Sequence, residues 1–474
     1  MRFLKPSRLV LLCSLLALVV AGGFGPPAVQ AQPSPTSLPV DERPTNIIVM
    51  IPDGFGPASA TLARDYLRAT TGRQELVFDS LHVGSTRTAS SDSRITDSAA
   101  AGTALSTGHK TYNGAIAVDS TGQPVSTVLE AAEARGMATG LVVTSRLTHA
   151  TPAVYSAHVT DRSNENTIAR QQIGAGIEVL LGGGRRHFLP EEEGGRRTDG
   201  ENLLSLARND GYQVVQTPQA LRTAAGDRLL GLFADGHMSY EIDRDSTRQP
   251  SLAAMTRTSL DRLADDPDGF FLMVEGSRVD HAGHSNDPAA HLHDILAFED
   301  AVAEALDFAR SDGETLVLVL SDHETGGLSV GRNRDGSGIY QWHPRSLASV
   351  TKSHGAMVRD MMNGTDPASV LASAAGIDSL RSDEQALLAD ADGDRRALYG
   401  AVSEIIGRRS LVGWTSLAHT AVDVSTYAYG PGWQAFIGSH ENTYIGETLA
   451  RMMDANLTDL TQQLRRPEPA SSSR

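Results

Sequence analysis

The sequence predicts an α/β protein, a three-layer α/β/α sandwich built on a large, mostly parallel central sheet. Three observations carry that prediction. The apolar runs that read as strands are continuous rather than alternating, as strands covered on both faces are. Helical patterns separate them, which suits parallel crossover connections. A chain of 474 residues with 40% hydrophobic content is ample for a buried core.

The elements follow in chain order. Residues 1–31 read as a secretory signal: Arg2, Lys5 and Arg8 precede the apolar run 9–20, and "AVQA" offers cleavage after Ala31. That run is too short to span a bilayer, so no membrane anchor is expected. The only cysteine, Cys13, lies inside the signal, which leaves the mature chain without thiol or disulfide. Residues 32–44, rich in Pro, Ser and Thr, read as a disordered leader. The globular body is expected over 45–460, with 461–474 as a tail. Its strands are "NIIVMI" (46–51), "GLVVT" (140–144), "IEVLL" (177–181), "GFFLMVE" (269–275) and "TLVLVLS" (315–321). A helix is expected from Pro288 to about Ser311, where the rings of His291 and His293 diverge and serve packing or solvation rather than chelation. The acidic run "DADGD" (390–394) reads as a solvated turn.

Charge excludes one class of partner. The formal net charge of −16 becomes −19 once the signal's three basic residues are removed, leaving 38 Lys and Arg against 57 Asp and Glu. So acidic a surface argues against nucleic acid.

Open α/β sheets bind ligands beyond the carboxyl ends of their strands. There this chain is rich in acids and imidazoles: Asp53 after the first strand, His149 and Thr151 after the second, Glu275, Asp280, His281 and His284 at and after the fourth, Asp322 and His323 after the fifth. Singly, an Asp after a strand is usually a cap and a lone His a hydrogen-bonded one. Together they form a pattern. Asp280 and His284, four apart, share one face of a helical turn, and Asp322 with His323 could straddle two neighbouring metals. Histidine and carboxylate without sulfur suit zinc; an oxygen-only subset suits magnesium. The stretch "ITDSAAAGTALSTG" (95–108) adds a hydroxyl, Ser98, directly after Asp97 and among small residues that leave room for an anion at a helix N-terminus. A serine beside two metals suggests phosphoryl transfer.

Across nearly all of the mature chain these residues resemble the alkaline phosphatases. The segments that carry the resemblance include "IPDGFGPAS", "TDSAAAGTALSTGHKTYNGAI", "THATPAVYSAHVTDR", "LLGGGRRHF", "LGLFADGHMSYEIDRD", "MVEGSRVDHAGH", "SDHETGG" and "AHTAVDVSTYAYGPG". The resemblance implies that Ser98 is the nucleophile and becomes phosphoserine, that Arg162 grips the phosphate, and that Asp97 orients Arg162. It assigns Asp280, His284 and His419 to a first zinc, Asp53, Asp322 and His323 with Ser98 to a second, and Asp53, Thr151 and Glu275 to a magnesium, so two Zn2+ and one Mg2+ per subunit. His149 and His281 stand near the substrate where the best-known enterobacterial pattern has an acid and a lysine, which bears on the third ion. It further implies a broad range of phosphate monoesters, a homodimer, an exported enzyme, and a crown or interface insertion at about 330–415. The alternatives are a phosphodiesterase, sulfatase or phosphonate hydrolase of the same superfamily fold, a silent phosphate- or zinc-binding module, and a cell-surface interaction protein that retains the fold with its cluster empty.

Overall fold

The computed structural model describes residues 43–333 and 340–466. The expected signal, residues 32–42 of the leader and residues 467–474 of the tail lie outside the described residues. Ten strands form the main sheet: β1 (Asn46–Ile51), β2 (His82–Arg87), β3 (Ala138–Arg146), β4 (Val179–Gly183), β5 (Tyr212–Val215), β6 (Arg228–Leu232), β7 (Phe270–Glu275), β8 (Thr315–Leu320), β9 (Val424–Tyr429) and β10 (Gly438–Glu441). Their spatial order is β10-β2-β9-β8-β1-β7-β3-β4-β6-β5. Within this sheet only β9 runs antiparallel to its neighbours, β2 and β8. The fold is the expected α/β sandwich with a mostly parallel sheet.

Alternation along the buried strands builds two separate cores. Ile48 and Met50 of β1 join one apolar cluster with Val317 and Val319 of β8, while Ile47, Val49 and Ile51 join a second with Leu316, Leu318 and Leu320. Successive side chains point to opposite faces, so an unbroken apolar run feeds both. Helices Pro57–Thr70, Leu252–Leu263 and Pro288–Asp312 cover the first face; Val128–Ala134, Ala150–Ser156 and Asn442–Met452 cover the second.

In the interval 330–415, helices His354–Met362, Pro367–Ala375, Ser382–Asp390 and Arg395–Ser410 follow one another, and their Met357, Leu371, Val402 and Ile405 continue the first cluster. Residues 391–393 turn between the last two, and Asp394 caps the final helix through Ala397 N. The helix Leu457–Leu464 runs through residue 460. No helix among the described residues is long and apolar enough to cross a membrane.

Because β1, β3, β7 and β8 are parallel neighbours, their carboxyl ends open on one edge of the sheet. That edge carries the acids and imidazoles.

Candidate active site

Asp53 leaves β1 in a tight turn whose Gly54 has φ +75°, and a Cβ there would stand 2.7 Å from Asp280 Cα. Glycine thus lets two ligand-bearing segments touch. Asp280 and His284 lie on the helix Arg278–His284, with His284 Nε2 3.4 Å from Asp280 Oδ1. His419 reaches them from the far end of the chain. It sits on a two-residue strand, His419–Thr420, paired antiparallel with Glu324–Thr325, so the segment directly after Asp322 and His323 holds it in place. Its Nε2 is 3.1 Å from His284 Nε2 and 3.5 Å from Asp280 Oδ1.

The structure gathers three clusters of metal-ligand type: Asp280, His284 and His419; Asp53, Asp322 and His323; and Asp53, His149 and Glu275. Asp322 and His323 thus join one cluster rather than straddling two, because both turn toward Asp53: His323 Nε2 is 3.2 Å from Asp322 Oδ2 and 3.5 Å from Asp53 Oδ1. Thr151 Oγ1 points at Asp53 Oδ2 from 3.5 Å.

The donor chemistry fits bound cations. Asp53 Oδ1, Asp322 Oδ2 and Glu275 Oε1 are buried and make no hydrogen bond, an arrangement that is costly unless something positive meets them. Burial first, then the charges of Asp322, Asp280 and Glu275, holds the Asp53 carboxyl far above the usual range. Burial pushes Glu275 up to about 8 and raises Asp322 as well. The imidazoles are set as ligands by their outer nitrogens. His284 Nδ1 lies 2.7 Å from Leu417 O and His419 Nδ1 2.8 Å from Thr96 O. A carbonyl only accepts, so each Nδ1 keeps the proton and each Nε2 keeps its lone pair.

Ser98 opens the helix Ser98–Thr107, and all ten residues of that helix are buried. Asp97 caps it, accepting from Ala100 N at 2.9 Å through Oδ1. The small residues pack the helix backbone to backbone: a Cβ on Gly446 of the neighbouring helix would meet Gly108 N at 2.6 Å and Leu105 O at 2.8 Å. At the opposite end of the same helix, Ser98 Oγ lies 3.1 Å from His323 Nε2.

The second oxygen of Asp97 accepts from Arg162 NH1 at 2.8 Å and Gly114 N at 3.0 Å. Arg162 NH2 faces His149 Nε2 at 3.1 Å. His149 in turn begins a cluster of three imidazoles: its ring centre is 5.4 Å from those of His237 and His281, which are 4.4 Å apart. Burial and then Arg162 depress His149; burial and then Arg278 depress His281. Every residue predicted for the site therefore lies at this edge. His237 was missed, although its motif "LFADGHMSYE" was visible. It follows the short strand ending at Leu232, and the acid beside it, Asp235, pairs with Arg185 rather than joining the site.

The profile of the alkaline phosphatase family matches residues 44–455. This chain belongs to the alkaline phosphatase family. It is 39% identical over 470 residues to the repressible alkaline phosphatase of Saccharomyces cerevisiae, covering 89% of this chain and 83% of that protein. With alkaline phosphatase 4 of Bacillus subtilis it shares 40% over 410 residues, 84% of this chain and 86% of the relative. The crystal structure of a cold-active alkaline phosphatase from Shewanella sp. superposes with a TM-score of 0.78 at 36% identity, covering 86% of this chain and 99% of that one. As a member of that family the protein is an enzyme, a phosphatase.

Proposed function

We propose that this alkaline phosphatase hydrolyses phosphate monoesters through a phosphoserine at Ser98, acting outside the cytoplasm as a homodimer. The observation that carries the reading is the placement of Ser98 Oγ at a helix N-terminus, 3.1 Å from His323 Nε2 and beside an arginine anchored by Asp97. Asp280, His284 and His419 would hold one zinc ion, and Asp53, Asp322 and His323 the other. Asp53, Thr151 and Glu275 would hold magnesium. When bound, these cations lower the pKa of a hydroxyl and of water and neutralise charge on the transferring phosphoryl group.

The chain's own groups do the rest. Arg162 directs one N–H at Asp97 and one at His149, and its remaining donors form a fork for two phosphate oxygens. The helix N-terminus adds N–H groups and a favourable dipole. Ser98 Oγ forms a bond to phosphorus as the ester P–O bond breaks and the alcohol leaves; water then breaks the Oγ–P bond, releasing phosphate. Two in-line displacements retain configuration at phosphorus. With Nε2 accepting from Arg162, the neutral His149 carries its proton on Nδ1.

Turnover of a chromogenic phosphate monoester at alkaline pH, after loading with zinc and magnesium, tests the reading. Wild type should turn it over far faster than the matching diester or sulfate, and Ser98→Ala should lose at least about 10³-fold in kcat. Near-normal turnover in the variant would remove Ser98 as nucleophile.

A further inference from the structure

The helix that carries Asp280 and His284 begins with a residue of no assigned role, Arg278. Its NH1 lies 3.1 Å from His281 Nδ1, one turn further on. We infer that Arg278 is a positioning residue that fixes the tautomer of His281, so that His281 meets the substrate phosphate with an Nε2–H donor. The inference rests on the reading of the site given above.

A guanidinium has donors and no acceptor, and it stays charged inside a protein. The nitrogen it touches must therefore accept. With Nδ1 occupied by its lone pair, the proton of the neutral ring stands on Nε2. The His281 ring is in contact with Arg278, His237 and His149. The nearest acid in sequence, Asp280, turns its Oδ1 instead to Thr325, His284 and His419. The ring retains some exposure to solvent, so it can reach a ligand.

Arg278 is itself held in place. Its guanidinium carbon sits 3.9 Å above the ring of Tyr240, a cation–π contact that fixes the plane of the fork. A guanidinium gripped on its face by Tyr240 and directed through NH1 at His281 holds its fork in one plane, as a tautomer-setting group requires. An anionic phosphate then finds an N–H rather than a lone pair.

Nitrogen-15 NMR of histidine-labelled full chain, loaded with zinc and magnesium, reads the tautomer directly, with His281 assigned by its absence in His281→Ala. The expected result is a protonated Nε2 and a bare Nδ1 in the wild type; a protonated Nδ1 there overturns the proposal without recourse to any variant. This readout does not depend on turnover, so it stands even where Ser98 fails as nucleophile. Kinetics supply the second test. Arg278→Met should lower kcat/KM about tenfold, Arg278→Lys should restore most of it, and in a His281→Ala background Arg278→Met should cost almost nothing further. An equal loss in both backgrounds would show that Arg278 does not act through His281.

Discussion

Two metal-type clusters at this site share a chemistry and differ in depth. The Asp53–Asp322–His323 cluster is fully enclosed, with all three side chains 0% exposed. In the Asp280–His284–His419 cluster the corresponding exposures are 5%, 38% and 12%. Depth sets the electrostatics. The enclosed acids leave two oxygens without hydrogen bonds and are pushed up by burial and by one another. At the rim, Asp280 Oδ1 accepts from Thr325 Oγ1 at 2.6 Å. The same ligand types thus make one enclosed cluster with carboxylate oxygens left unmatched and one nearer solvent whose Asp280 Oδ1 has a hydroxyl partner.

The largest expected effect breaks the deep cluster. Asp322→Asn should lower monoester turnover by at least about 10²-fold, because a neutral amide is a poor zinc ligand. It should also raise the melting temperature of the metal-free protein, since a repelled buried carboxylate has gone. A metal-free variant that melts lower than wild type would mean that Asp322 is structurally satisfied without a cation. His284→Gln, at the rim, should cost nearer tenfold and recover as zinc is raised. Chelator titration followed by metal analysis should strip the rim ion first; loss of both together would erase the distinction.

pH sharpens the same contrast. Burial raises Glu275 to about 8 in the fold, against 4.5 when unfolded. Between those values the folded state binds the proton that the unfolded state has released, so stability falls as pH rises through the window. The depressed histidines oppose this only below their unfolded value of 6.5. From pH 7 to pH 9 the metal-free protein should therefore lose melting temperature, with most of the loss below about 8. Metal loading should flatten the slope, and Glu275→Gln should reduce it without metal. A slope unchanged by Glu275→Gln would assign it to other groups.

Much of this was legible in the sequence, for physical reasons that differ by residue. Strands β1, β3, β4, β7 and β8 are apolar runs buried on both faces, and their carboxyl ends delivered Asp53, His149, Glu275 and Asp322 in the right place. The other five strands gave no such signal. β2 (HVGSTR) and β10 (GSHE) are mostly exposed or half-exposed, β9 (VSTYAY) runs against its neighbours, and β5 and β6 are short. Their pairing is decided by tertiary contact rather than by local pattern. His419 was found through family resemblance alone, because a two-residue strand has no periodicity to read. His237 escaped because its contacts with His149 and His281 cross elements, and Arg278 because the Tyr240 ring that holds it comes from a distant segment.

The smallest expected effect separates the two clusters by a mechanical route. Gly446 lies where the helix Asn442–Met452 meets the backbone of the nucleophile helix, and its would-be Cβ stands under 3 Å from Gly108 N and Leu105 O. Neither atom is the end of a flexible side chain, so Gly446→Ala must push one helix off the other. Overpacking of this kind costs about 1–3 kcal/mol, a fall in melting temperature of a few degrees for a chain of this size. The displaced helix carries Ser98, whose Oγ touches His323 in the deep cluster; the rim cluster hangs instead on Thr325 and on the carbonyls of Thr96 and Leu417. Thr96 precedes that helix by two residues, so the rim should feel the shift weakly. Zinc titration of Gly446→Ala should then show deep-site affinity reduced several-fold and rim affinity nearly unchanged. Equal weakening would mean that the two clusters move as one rigid body, and that burial alone separates their chemistry.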